Sequence, residues 1–133
     1  MSVVRFGVSL EEVLLESLDN YARDNRFANR SQAIRQLITN NLVEKKWRSN
    51  KIVAGAIILV YDHHERDLLL KLTDIQHDYH GVILSAQHFH LDHNNCLEIV
   101  AVKGEAVRLT ELSDKLISVK GIQHGKLVMS KAD

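Results

Sequence analysis

Proline is absent from all 133 residues, so boundaries must be read from glycine, Asn/Asp clusters and changes of hydrophobic period. A single cysteine, Cys96, excludes an intramolecular disulfide. A lone thiol is either a buried small hydrophobe or a reactive or metal-binding group, and its neighbours decide which. Long apolar runs are missing as well. The longest, residues 52–60, falls far short of the roughly 20 residues that cross a bilayer, so no membrane partner is expected. No apolar core of a secretory signal forms at the N-terminus, where Val3 and Val4 meet Arg5 at once, and a cytoplasmic protein is the expectation.

Net charge is lacking too, with 17 Lys/Arg against 17 Asp/Glu. That balance hides an asymmetry. Residues 1–51 carry nine basic and six acidic side chains, whereas the remainder carries eight and eleven. A basic first part and an acidic second part suggest a polyanion-binding module joined to something else. The hydrophobic content of 45% excludes disorder as the default.

Residues 3–8 are β-prone. Ser9 with Glu12 has the spacing of a capping box for a helix running to about Asp24, with Val13, Leu14, Leu18, Tyr21 and Ala22 on its apolar face. Asn29 or Ser31 can cap a second helix carrying Ile34, Leu37, Ile38 and Leu42. So short a strand has no partner within the first fifty residues, and pairing with the same strand of a second chain is expected. We expect domains at 1–46 and 52–133, joined by a linker at 47–51.

The second part reads as a strand over 52–61, a helix over 66–77 with Gly81 placed as a C-cap, strands over 82–91 and 96–103 joined by Asp92-His93-Asn94-Asn95, a helix over 105–119 and a strand over 122–129. The order βαββαβ is the split ferredoxin-like arrangement. The expected class is therefore α+β.

Alternate residues of a strand share a face, so His88 and His90 project together. A hairpin symmetric about His93 sets Cys96 opposite His90, and two imidazoles and one thiolate then converge. Any one of these histidines could be an exposed polar residue, but the trio points to a metal. A fourth ligand is open among His63, His64, His77, His80, His93 and His124. The metal is open as well, because such donors suit zinc, nickel and copper. Glu98, on the same face, could accept an imidazole N–H or be a solvated carboxylate. A metallohydrolase using Glu98 as base, and a small-molecule-sensing regulator, are the readings from other classes.

At the N-terminus Arg5, Gly7 and Ser9 alternate with Phe6, Val8 and Leu10. Two such strands paired antiparallel make a ribbon that fits the major groove of double-stranded DNA.

The run RFGVSL, the LLESLD helix and NRSQAIRQLI resemble the ribbon-helix-helix repressors. VYDHHERDL, QHDYH and HFHLDHNNCLEIVAVKG resemble the metal-binding domain of the NikR family. The resemblance implies an N-terminal ribbon-helix-helix segment and a C-terminal ferredoxin-like domain of ACT type, in a homotetramer built as a dimer of dimers. It implies square-planar Ni(II) held by His88, His90 and Cys96, with His77 from a neighbouring subunit. It also implies groove contacts by Arg5, Gly7 and Ser9, phosphate contacts near Asn29, Ser31 and Arg35, and repression of nickel-uptake genes through a palindromic operator. The sequence departs from the family where Gln32 and Gln36 replace second-helix carboxylates that help hold a further cation.

Overall fold

The computed structural model describes residues 2–133. The chain divides into two compact units, the first ending at Asn41 and the second spanning Leu42–Asp133.

In the first unit, residues 2–11 have no regular secondary structure, and the apolar side chains Val3, Val4, Phe6 and Val8 are exposed. Among the described residues the strand expected over 3–8 is not formed, and no strand pairs with that stretch. Helix α1 spans Glu12–Asp24, with Glu11 rather than Ser9 at its N-cap and no side-chain cap. The capping-box expectation is corrected here. Glu11, at φ −60° and ψ 149°, stays outside the helix, so Glu12 is its first residue rather than its third, and in that first turn its charge still meets the positive end of the helix dipole. Helix α2 spans Arg30–Arg48. Asn29 caps it, its Oδ1 accepting the Gln32 N–H at 2.9 Å, while Gln32 Oε1 accepts the Ala28 N–H at 2.9 Å. The first bond satisfies one orphan donor of the helix start, and the second pins the residue before the cap. Arg30 grips Asp19 with two nitrogens, at 2.8 and 3.0 Å, tying α2 to α1.

The second unit places strands β1 (Ile52–Asp62), β2 (Ile83–His90), β3 (Asn95–Glu105) and β4 (His124–Lys131) in one antiparallel sheet of order β2-β3-β1-β4. Helices α3 (Arg66–Asp78) and α4 (Ala106–Ile117) cover one face. The near-continuous apolar run of β1 suits its central position. Val53, Ile57, Leu59 and Tyr61 from β1 and Cys96, Val100 and Val102 from β3 point toward Leu68, Leu72, Leu109, Leu112 and Leu116, all buried. On the opposite face Ile58, Val60, Leu97 and Ile99 remain partly exposed. The chain is thus α+β, and its second unit is the βαββαβ arrangement.

Two features have tertiary causes. Helix α2 runs on past Lys45 because Trp47 is buried and its indole N–H donates to the Ser130 carbonyl at 2.8 Å. Asn50, in the left-handed region at φ 52°, then ends the turn, and its Oδ1 caps α4 by accepting the Val107 N–H at 2.8 Å. Gly81 is not the C-cap of α3. Tyr79 takes that position and the chain passes into a 3-10 turn over His80–Val82. Among the described residues, no helix is long and apolar enough to cross a membrane.

Candidate metal centre

The β2–β3 hairpin is shaped by Asp92. Its Oδ1 accepts the N–H groups of Asn94 and Asn95 at 2.9 and 2.8 Å, and its Oδ2 accepts the Asn95 amide at 3.1 Å. These donors, the Asn95 and Asn94 backbone first, hold the Asp92 carboxyl below the usual carboxylate range. An Asx turn of this kind sets the register. His90 stands opposite Cys96 and His88 opposite Glu98, so all four share the helix-side face, the histidines on the edge strand and the other two on its inner neighbour.

Glu98 is 2% exposed and fully partnered. Its Oε1 accepts the Tyr61 hydroxyl at 2.5 Å and lies 3.5 Å from His88 Nε2, while its Oε2 accepts the Gln76 amide at 2.7 Å. The carboxylate joins β1, β3, β2 and α3, and the solvated reading of Glu98 is overturned. Burial first, then the hydrogen bond to Glu98, push the Tyr61 phenol well above its ordinary range, with Cys96 adding to the shift. Tyr61 therefore stays a neutral donor. Gln76, four residues after Leu72 on the inward face of α3, escaped the sequence reading. That helical spacing was the signal for it.

The backbone aligns the donors, yet the side chains of a single chain are not gathered. Cys96 is buried, its Sγ 3.7 Å from the Leu97 carbonyl. The His90 ring packs on His63 with centroids 4.6 Å apart, and His63 lies 4.1 Å from His64. Among the described residues, no three His, Cys, Asp or Glu side chains form a group that could hold a metal ion. The donor set itself suits one, since two imidazoles and a thiol stand on adjoining strands with a buried carboxylate behind one imidazole.

His77 and His80 stack at the end of α3, centroids 5.9 Å apart. With Tyr61, Gln76, His88 and Glu98 they line a cleft of about 410 Å³ between α3 and β2. His93 lies in the hairpin turn, its carbonyl 3.1 Å from His63 Nε2. His124 opens β4, on the far side of β1 from β3.

In the first unit, Arg5, Ser31 and Arg35 line one groove of about 600 Å³. Gly7 and Ser9 lie in the exposed N-terminal segment, and the Asn29 side chain is engaged in capping. Gln36 donates to Asn40 at 2.8 Å.

Family models match both parts of the chain. One described as the NikR C-terminal nickel-binding domain matches residues 54–130, and one described as a ribbon-helix-helix protein of the copG family matches residues 4–45. A Syntrophus aciditrophicus protein named as a candidate nickel-responsive regulator is 55% identical over 128 residues, covering 96% of this chain and 93% of its own. Its namesake in Geobacter sulfurreducens is 51% identical over 128 residues, with 96% and 92% covered, and that of Thermococcus kodakarensis is 47% identical over 131 residues, with 98% and 95% covered. A solved structure of an uncharacterised Thermotoga maritima protein, 18% identical, covers 59% of this chain and 98% of its own at a TM-score of 0.53, a likeness of fold alone.

Proposed function

This chain belongs to the NikR family of ribbon-helix-helix transcription regulators, and on that premise we propose that it is a nickel-dependent transcriptional repressor. Ni(II) is held by His88, His90 and Cys96 of one subunit with His77 of the partner subunit. The observation that carries this reading is the β2–β3 register, which sets Cys96 against His90 and His88 against the buried Glu98. Bound metal supplies a bridge between subunits that stabilises one arrangement of the assembly. Within the chain, Glu98 orients His88 and, through Gln76, ties it to the helix that carries His77.

The assembly in this reading is a homotetramer, two DNA-binding dimers joined through the second units. Support comes from two incomplete surfaces. Strand β2 is an edge strand exposed along nearly its whole length, and the sheet's open face is apolar. Both features call for a covering partner. The N-terminal segment and the start of α2 read DNA, and residues 52–133 bind metal and tetramerise, with α2 running on from the first unit into the second. Paired N-terminal segments present Arg5, Gly7 and Ser9 to the major groove of a palindromic operator, while Asn29, Ser31 and Arg35 at the start of α2 approach phosphates. The protein works in the cytoplasm and controls nickel uptake.

The test is selection of duplexes from a random pool with and without Ni(II), followed by affinity measurements on the winners. Enrichment of a palindrome only with Ni(II), lost in His88→Ala, is the expected result. Equal DNA affinity with and without metal rejects the switch.

A further inference from the structure

The end of α3 has no glycine cap and is closed only by short-range bonds, among them His80 Nδ1 at 2.9 Å from the His77 carbonyl. Its C-cap residue, Tyr79, sits at φ −114° and ψ 20° rather than in the left-handed conformation of a glycine cap. Its N–H donates to the Gln76 carbonyl at 3.1 Å and its own carbonyl accepts the Val82 N–H at 3.0 Å. These bonds are short-range, and none of them ties the helix end to another element.

The ring of Tyr79 supplies what the backbone does not. Tyr79 is 5% exposed and belongs to the hydrophobic core. Arg108 Cζ lies 4.5 Å from its ring centroid and Lys115 Nζ 5.1 Å from it. Both cations come from α4, seven residues apart and hence on one helical face. Each approach is within the range of a cation–ring attraction, which strengthens where the ring is desolvated. The Tyr79 hydroxyl beside Lys115 holds that ammonium above the ordinary lysine range, with Glu111 and Asp78 adding to the effect.

His77 lies two residues before this clamp, in the last turn of α3. We propose that Tyr79, held against Arg108 and Lys115, is the positioning residue for His77, fixing the final turn of α3 before any metal arrives. The inference rests on the reading of His77 as a ligand and extends it. The last turn is a preset element, and the outer face of α4 becomes part of the support of the metal site.

Hydrogen exchange of the full chain, free of metal, tests the clamp, with β3 peptides as internal reference. In Tyr79→Ala, exchange over residues 77–82 is expected to rise about tenfold or more while β3 is unchanged. Tyr79→Phe keeps both cation–ring contacts, losing only the hydroxyl beside Lys115, and is expected to retain most of the wild-type protection. The double variant Arg108→Gln/Lys115→Gln removes only exposed heads and is expected to reproduce the alanine effect even if Tyr79→Ala folds poorly. Ni(II) titration of Tyr79→Ala is expected to show about ten- to a hundredfold weaker binding, with the wild-type absorption spectrum at saturation. Unchanged exchange over 77–82, an equal rise in β3, or failure of Tyr79→Phe to restore protection overturns the proposal. Wild-type Ni(II) binding by His77→Ala overturns instead the ligand reading beneath it, and the exchange data distinguish the two failures.

Discussion

His88 Nε2 lies 3.5 Å from Oε1 of Glu98, its register partner across the β2–β3 ladder, and that oxygen also accepts the Tyr61 hydroxyl at 2.5 Å. A carboxylate 2% exposed is tolerated only because every neighbour donates to it. Removing it strands the donors.

Glu98→Ala leaves the Tyr61 hydroxyl and the Gln76 amide without partners in the core and frees the His88 ring. A stability loss of about 3 kcal/mol is expected, together with roughly ten- to a hundredfold weaker Ni(II) binding. Thermal melting and metal titration measure both. A Glu98→Ala protein that melts and binds as wild type does excludes the orienting role.

Cys96 sits at 3% exposure against Tyr61 and the core, so serine fits its space but offers a harder donor. Cys96→Ser is expected to keep the fold and lose the sulfur-to-metal absorption of the nickel form, with affinity down about a hundredfold. Persistence of that absorption band in the variant removes the thiolate from the ligand set.

The hairpin was legible in the sequence because its signals are local. Four turn-forming residues, Asp92 to Asn95, separate two runs of period two, and counting outward pairs 90 with 96. What was not legible depends on contacts distant in sequence. Glu98 could be placed on a face, but its burial follows from Tyr61 and Gln76, which reach it from β1 and α3. The end of α2 looked like a charged linker because Lys45, Lys46 and Arg48 dominate it. The indole of Trp47, bonded to Ser130, anchors that turn. Gly81 looked like a helix cap, yet the clamped ring of Tyr79 ends α3 two residues earlier. Ser9 and Glu12 matched a capping box by spacing, but the helix begins too late to use it.

Gly55 marks a close approach of strands. A Cβ there would overlap the Val128 carbonyl oxygen and meet the Trp47 ring at 3.4 Å. A backbone oxygen in a ladder cannot yield as a flexible side chain can. Gly55→Ala is expected to cost about 1–3 kcal/mol and to shift the fluorescence of Trp47, the only tryptophan. An unchanged melting midpoint and emission maximum contradict this packing.

The Asp19–Arg30 pair gives the helices of the first unit a pH dependence of known sign. The hydrogen-bonded Arg30 guanidinium holds the Asp19 carboxyl below its ordinary value of 3.8. A carboxylate whose folded value is depressed stabilises the fold fully above its unfolded value and ceases to as pH falls through the folded one. Asp19→Asn is therefore expected to melt below wild type at pH 7, and the gap to close as pH drops below that ordinary value. Melts at stepped pH check this, and a gap that widens in acid contradicts it.

The first unit cannot be stable by its own interior. Ala22 and Ala33 are its buried apolar residues, whereas Phe6, Val13, Leu14, Leu37 and Ile38 are exposed. So small a core falls short of what about 40 residues need without a partner or a cross-link. Pairing two N-terminal segments would give Phe6 and Val8 a covered face and satisfy the strand's backbone groups together. Association that stabilises only the folded form makes the melting midpoint depend on concentration. Phe6→Ser, which touches no metal donor, is expected to lower the midpoint of the first unit and abolish operator binding while leaving Ni(II) affinity at the wild-type value. Loss of metal affinity in that variant would show that the two units are not separable in the way their cores suggest.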